Sequence, residues 1–285
     1  MAANPLRTSS RFDRVSGEIP RYLICILTAA LVLVPIALAL IGGLKTNAQL
    51  IAHPFAVPKP FMWENYTDVL RSHSFWRQCG NSVFVMLATT LIVIGLASMA
   101  AFVFARMPFQ GREILFTYFT LGLLFPVTVA ILPIYILVRQ LGLVDTLWGI
   151  ILPQVAFALP LSVLILRNFF ISIPAELEDA AYVDGASAFE FFRRILLPLA
   201  RPGLAAVAVL TMVTSWNNFF LPLVVLNSER LWTLPLGVMQ YQGQFGSDWG
   251  KILAFVSIAL VPAVIFYLFA ERQIIAGLTA GSIKG

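Results

Sequence analysis

Two histidines, two cysteines and fourteen Asp and Glu are the groups of this 285-residue chain best suited to acid–base, nucleophilic or metal chemistry. Their spacing supports no catalysis. His53 and His73 sit in one loop, where a bland surface role is expected. Cys25 and Cys79 lie far apart, with no ligand-like cluster around either, so neither a disulfide nor a metal site is expected. No nucleophile, base and orienting group form a set. No G-x-x-x-x-G-K-[ST] loop is present to cradle ATP phosphates, and Gly250-Lys251 lacks the upstream glycine. Polar residues concentrate instead in two stretches. The first is Glu178 to Gly203, EDAAYVDGASAFEFFRRILLPLARPG, a charged interval between apolar runs. It cannot cross a membrane but can offer a knob to a soluble partner. The second is Trp216-Asn217-Asn218-Phe219, which puts two amides inside an apolar run. Buried amides need partners, so they either join helices or line a path for a hydroxyl-bearing solute. Gln154, between Pro153 and Pro160, is a weaker candidate of the same kind.

The charged stretch reads as two short helices hinged at Asp184-Gly185. Pro174 and the acids Glu176, Glu178 and Asp179 suit a first helical turn. Gly185 can end that helix in a left-handed conformation. Ser187 and Glu190 have capping-box spacing and start the second helix. Phe189, Phe192 and Leu196 fall on one of its faces.

The elements around these stretches are membrane spans. The chain is 59% hydrophobic and 12% charged, with a mean hydropathy of +0.87; a soluble domain carries about twice that charge. The net charge of +5 is no nucleic-acid signal, because its Lys and Arg lie in loops. About 20 apolar residues cross the hydrocarbon core. Six runs qualify: 22–43, 81–105, 114–138 (bent by Pro126 and Pro133), 147–166, 202–226 (interrupted near Pro222) and 252–270. The first is read as an uncleaved span, although Ala37-Leu38-Ala39 resembles a signal-peptide cleavage box. Trp63, Tyr66 and Leu70 suggest a short helix at the interface. Six spans put both termini on one side. Lys and Arg divide 12 to 7, and the richer side, which carries the termini and the charged stretch, is expected to be cytoplasmic. The expectation is an all-α integral membrane protein with a tail over 1–21, one six-span domain over 22–276 containing the charged stretch at 174–201, and a tail over 277–285. The spans hold no Asp, Glu, Lys, Arg or His, which weakens an ion-coupled carrier reading.

Ala180-Ala181, Gly185, Ile195 and Leu197-Pro198 fit the EAA–three residues–G–nine residues–I–one residue–LP loop of bacterial ABC importer permeases. Asp179 stands where that family has Glu. Asp184-Gly185-Ala186 resembles the carbohydrate-uptake branch, and Trp216 to Phe219 resembles its W-N-[ED]-F pattern, with Asn218 at the position of the acid. The loop from Gln242 to Trp249 and the tail from Gly277 to Gly285 also resemble this branch, the tail in its MalG-type form. The likeness runs from about Asn65 to the C-terminus.

The resemblance implies a MetI-like, type I permease fold with six transmembrane helices and a cytoplasmic coupling helix, in the bacterial inner membrane. Glu178, Asp179, Ala180, Ala181, Asp184, Gly185, Ala186 and Phe189 would then couple to an ATPase. Thr279, Gly281, Ser282 and Lys284 would reach the same ATPase from the tail. Trp216, Asn217, Asn218 and Gln154 are the candidate substrate path. The implied partners are a second, MalF-like permease, a homodimeric ABC ATPase, an extracytoplasmic sugar-binding protein and membrane lipid. No cofactor is expected in this chain, since ATP and Mg would be bound by partner subunits, and the chain itself is not an enzyme. The alternatives are a type I permease for an amino acid, phosphate or glycerol phosphodiester, or an ion-coupled carrier working alone.

Overall fold

An apolar run in lipid can satisfy its backbone hydrogen bonds only within itself or in a closed barrel, and the runs of this chain become helices. The computed structural model describes residues 11–243 and 246–280, without the side chains of 11–19, 266–267 and 269–280. In chain order the helices are α1 (Arg11–Gly42), α2 (Asn47–Ala52), α3 (Glu64–Arg71), α4 (His73–Arg106), α5 (Arg112–Thr120), α6 (Val127–Gln140), α7 (Trp148–Ser172), α8 (Glu176–Val183), α9 (Ala188–Phe191), α10 (Leu197–Leu199), α11 (Arg201–Trp216), α12 (Phe220–Val225), α13 (Leu234–Gly237) and α14 (Trp249–Ala280). A two-residue antiparallel ladder, β1 (Gln242–Gly243) with β2 (Gly246–Ser247), precedes α14.

The expected six spans are more broken than the sequence suggests. Among the described residues, three helices are long and apolar enough to cross a membrane: Pro20–Gly42 within α1, α4 and α7. Two broken pairs raise this to five if each is one span, α5 with its following turn and α6 at 100°, and Ala188–Leu199 with α11 at 75°. A shorter apolar helix covers Trp249–Ile265.

Each departure has a local cause. The run 114–138 is not one bent helix but breaks at Phe125-Pro126, where Phe125 is extended (φ −86°, ψ 116°). Proline removes a donor and disfavours the helical region for its predecessor. Pro133 is carried inside α6. The run 202–226 breaks at Asn217–Phe219, upstream of Pro222. The Asn217 amide donates to Val213 O (2.9 Å), closing α11, and the Asn218 carbonyl accepts from Leu221 N (3.3 Å), opening α12. Short polar side chains compete in this way with the helix ladder. α4 begins at His73, eight residues before the expected boundary, and α7 runs past Leu166 to Ser172, so Arg167 is helical. α14 continues to Ala280, so the expected C-terminal tail starts within a helix.

The chain forms two units, residues 1–69 with 241–258 and residues 70–240 with 259–285. In the first, α3 is held by hydrogen bonds. Tyr66 donates to Leu40 O (2.7 Å), and Asn65 Nδ2 donates to Gly43 O (3.0 Å) and Lys45 O (3.1 Å). A Cβ at position 43 would lie 2.9 Å from the backbone of Ala254 as well as 2.6 Å from the Tyr66 hydroxyl, so glycine is required there. Trp63 and Leu70 stay exposed, as an interfacial helix needs. The buried Lys45 ammonium is satisfied by His53 O and Pro54 O. None of the most apolar stretch of α1 is buried against the rest of the chain.

In the second unit α4, α7 and α11 pack together. Val93, Ala97 and Ala101 recur at four-residue spacing on α4 and are fully buried, with Val163, Leu166 and Phe170 of α7 and Val207 of α11 in the same core. Small side chains at this spacing let helix backbones approach closely. At one end of the bundle, the Asp145 carboxylate accepts from Asn227 N (2.9 Å), Ser228 N (2.8 Å) and the Ser228 hydroxyl. These bonds, the Ser228 hydroxyl first among them, hold the Asp145 carboxyl below its ordinary value. A group with a lowered folded pKa stabilises above its unfolded pKa and loses that contribution as pH falls through the folded one. Asp145→Ala should therefore lower the melting temperature at pH 7 by roughly 2–4 °C. The gap to wild type should close as the pH drops below the ordinary Asp value of about 4. Differential scanning fluorimetry across pH reads both, and a pH-independent gap would assign the loss to packing or to the left-handed backbone at Asp145 (φ +57°), which Ala tolerates poorly.

Candidate functional site

The acidic first turn of α8 and the positive φ of Gly185 (+82°) set the shape of the charged stretch. Gly185 N donates to Tyr182 O (3.0 Å) and Ala186 N to Ala181 O (2.9 Å), the pair of bonds that closes a helix around a left-handed glycine. Ser187 and Glu190 then form a full capping box. Ser187 N donates to Glu190 Oε2 (3.0 Å), and Glu190 N to Ser187 Oγ (3.3 Å). The Ser187 backbone and hydroxyl, with Arg194, hold the Glu190 carboxyl below its ordinary value. The chain next passes a π-helical turn, Phe192–Leu196, into α10 and α11.

The expected contact residues divide. Asp179, Ala180, Asp184, Gly185 and Phe189 are exposed, and Ala186 is half-buried. Val183 and Phe189 stand out, 87% and 64% exposed, as an apolar pair beside Gly185. The aromatic face is split, because Phe192 and Leu196 turn into the core. Ala181 is buried. Glu178 also faces inward. Its side chain is 14% exposed, pairs with Arg106 at 3.3 Å and accepts from the Tyr182 hydroxyl (2.8 Å). It is thus a strut of the chain itself and offers little charge outward.

A layer of arginine contacts lies beside α8. Arg106 Nη2 donates to Phe170 O and Ile173 O, both at 2.5 Å. Arg167 donates to Phe104 O (3.2 Å) and to Glu113 (2.6 Å), and its guanidinium lies 4.1 Å over the Phe116 ring.

Residues of α4, α6, α7, α11 and α12 line a half-open cavity of about 210 Å³. Its walls are apolar apart from neutral groups, chiefly Thr89, Gln154, Thr211, Thr214, Ser215 and Asn218; among the described residues no charged side chain lines it. Gln154 and Asn218 of the sequence candidates are here together. Asn217 is exposed and Trp216 is buried, and neither lines the cavity. Both polar atoms of the Gln154 amide, Thr89 Oγ1 and Ser215 Oγ are buried with no hydrogen-bond partner among the described residues. Each such group costs about 1–3 kcal/mol, so their gathering at one cavity calls for an explanation beyond packing. Sequence reasoning missed Thr89 and Ser215, since single hydroxyls in an apolar run carry no signal until the helices meet. Of the tail candidates, Thr279 lies in α14 without a described side chain, and Gly281, Ser282 and Lys284 lie outside the described residues.

The family of binding-protein-dependent transport system inner membrane components matches residues 93–274, which include the C-terminal part of α4, all of α7 and α11, and the charged stretch. A diacetylchitobiose uptake system permease protein of Streptomyces coelicolor is 32% identical over 98% of this chain and 92% of its own length. An arabinooligosaccharides transport system permease protein of Bacillus subtilis is 33% identical over 90% of this chain and 92% of its own. Among solved structures, a chain of a bacterial ABC transporter involved in the import of the acidic polysaccharide alginate superposes with a TM-score of 0.79. It is 24% identical over 94% of this chain and 99% of its own, and the two share the fold.

Proposed function

Because this chain belongs to the binding-protein-dependent transport system inner membrane components, the permease subunits of ABC importers, we propose that it forms one half of the path of a sugar importer. The similarity to permeases named for diacetylchitobiose and arabinooligosaccharides supports a carbohydrate. The observation that carries the reading is the cavity, whose polar groups among the described residues are neutral donors and acceptors. Hydroxyls supply the partners that Gln154, Thr89 and Ser215 lack, whereas a carboxylate or phosphate would find no cation. At about 210 Å³ the cavity is smaller than the roughly 300–1,000 Å³ of a closed ligand site. That size suits a path completed by a second permease.

In this reading α8, Gly185 and α9 dock into a cleft of an ATPase dimer, which binds ATP and Mg and does the hydrolysis. Val183, Asp184 and Phe189 are the outward contacts, with Asp179 and Ala180 beside them. An extracytoplasmic sugar-binding protein delivers the solute. The residues after α14 contact the ATPase from the tail. The chain runs with both termini and the 174–201 stretch in the cytoplasm, supported by the 12 to 7 division of Lys and Arg. Single cysteines at Ser187 and Ser247 should react with impermeant reagent from opposite faces, and reaction from one face would overturn this topology. The substrate class is tested by a ligand screen on the binding protein that delivers to this permease. A neutral di- or oligosaccharide is the expected ligand; an amino acid or a phosphate-bearing solute would overturn the sugar assignment.

A further inference from the structure

Arg106 ends α4, and its guanidinium meets two other helices at once. Nη1 pairs with Glu178 of α8 at 3.3 Å, and Nη2 donates to Phe170 O and Ile173 O at the C-terminal end of α7. The site is sheltered, with the Arg106 side chain 8% exposed. A helix C-terminus leaves carbonyls without partners and carries the negative end of the dipole, so a cation is held there twice over. A planar guanidinium serves two carbonyls and a carboxylate in one fixed geometry, which an ammonium cannot do.

The backbone gives α8 a different kind of link. α7 and α8 are joined by Ile173-Pro174-Ala175, a short elbow whose dihedrals can absorb a movement of α8. α4 and α8 are not consecutive at all. Arg106 and Glu178 lie 72 positions apart, and among the described residues this ion pair is the one polar tie between the two helices. Arg167 ties α7 to α4 and α5 without touching α8. α4 and α7 are also the helices that bring Thr89 and Gln154 to the cavity.

We propose that the Arg106–Glu178 pair is the joint through which a displacement of α8 is passed to α4 and α7, and so to the walls of the cavity. Arg106 and Glu178 are positioning residues in this scheme, touching neither nucleotide nor solute. The inference rests on the reading of α8 as part of the ATPase-docking element. Without the joint, the elbow lets α8 move with the ATPase while the spans stay where they are. Hydrolysis then continues and transport falls behind.

The test compares Glu178→Gln, Arg106→Gln and the double variant in reconstituted complexes with the ATPase and binding protein. Two quantities are read: ATPase retained on purification, and solute transported per ATP hydrolysed. Each single change should lower the transport ratio by roughly fivefold or more, the lower end of coupling between distant sites. The double variant should be no worse than either single one, because both remove the same contact. ATPase retention should not change. Arg106→Lys, which keeps the charge and loses the fork, should fall between wild type and Arg106→Gln. If Arg106→Gln does not accumulate, Glu178→Gln and Arg106→Lys carry the comparison. Wild-type ratios in the single variants, or losses that multiply in the double, would overturn the joint while leaving docking intact. Failure of the wild-type chain to retain the ATPase would overturn docking and the joint with it.

Discussion

Gly185→Val should leave the chain inserted and the ATPase bound, and should cut coupled transport by about tenfold or more. Gly185 sits at φ +82°, and the two hydrogen bonds that close α8 depend on that conformation. A β-branched residue there is strained by about 1–3 kcal/mol, and every 1.4 kcal/mol shifts a conformational population tenfold. A Cβ on Gly185 meets nothing within 4 Å, so the penalty is one of backbone conformation and not of collision. That distinction supplies a control. Asn tolerates the left-handed region, so Gly185→Asn should retain most of the transport although it is as large as Val. The apolar helices do not depend on this turn, and membrane insertion should be unchanged. Transport and ATP hydrolysis measured side by side decide the matter. Equal losses in Asn and Val variants would mean that bulk at the docking surface matters and the turn does not.

The second large effect is expected at Gln154, where function and stability should move in opposite directions. Both polar atoms of its amide are buried without partners beside the cavity. Gln154→Met keeps the unbranched shape and removes those atoms, which should stabilise the chain by about 1–3 kcal/mol. If the amide exists to meet a solute hydroxyl, the same change should lower transport by about tenfold, the order of one hydrogen bond left unmade at a site built for it. Thermal denaturation in detergent and solute uptake in vesicles give the two numbers. A variant that melts lower and transports normally would make Gln154 a structural amide, and the path would have to run elsewhere.

What could be read in the sequence follows the reach of the interactions involved. The Ser187–Glu190 box and the Gly185 turn were legible because each is closed by residues at most five positions apart. The apolar runs were legible because length and composition alone decide them. The break in the run 202–226 was misplaced for an instructive reason. Pro222 marks a weak point, but the helix ends five residues earlier, where the Val213 carbonyl that accepts the Asn217 backbone N–H also takes the Asn217 side-chain amide. Glu178 was read as an outward charge because its partner, Arg106, lies 72 positions away at the end of another helix. Arg106 itself looked like one more loop cation in the charge count. Thr89 and Ser215 had no signature, since their meaning depends on three helices converging on one space.

The bare flank of α1 bears on how the chain is made. Its apolar part, Pro20–Gly42, is 23 residues and so about 34 Å long, enough to cross the bilayer on its own hydrogen bonds. Among the described residues, the rest of the chain holds it only near its C-terminal end, where Tyr66 donates to Leu40 O, and it is synthesised before α2 to α14. The arginines at 7, 11, 14 and 21 that precede and open it are in place to bias its sidedness before the residues that pack the bundle have been synthesised. Good packing downstream would not repair an error in that placement, because the packing would form just as well in a chain inserted upside down.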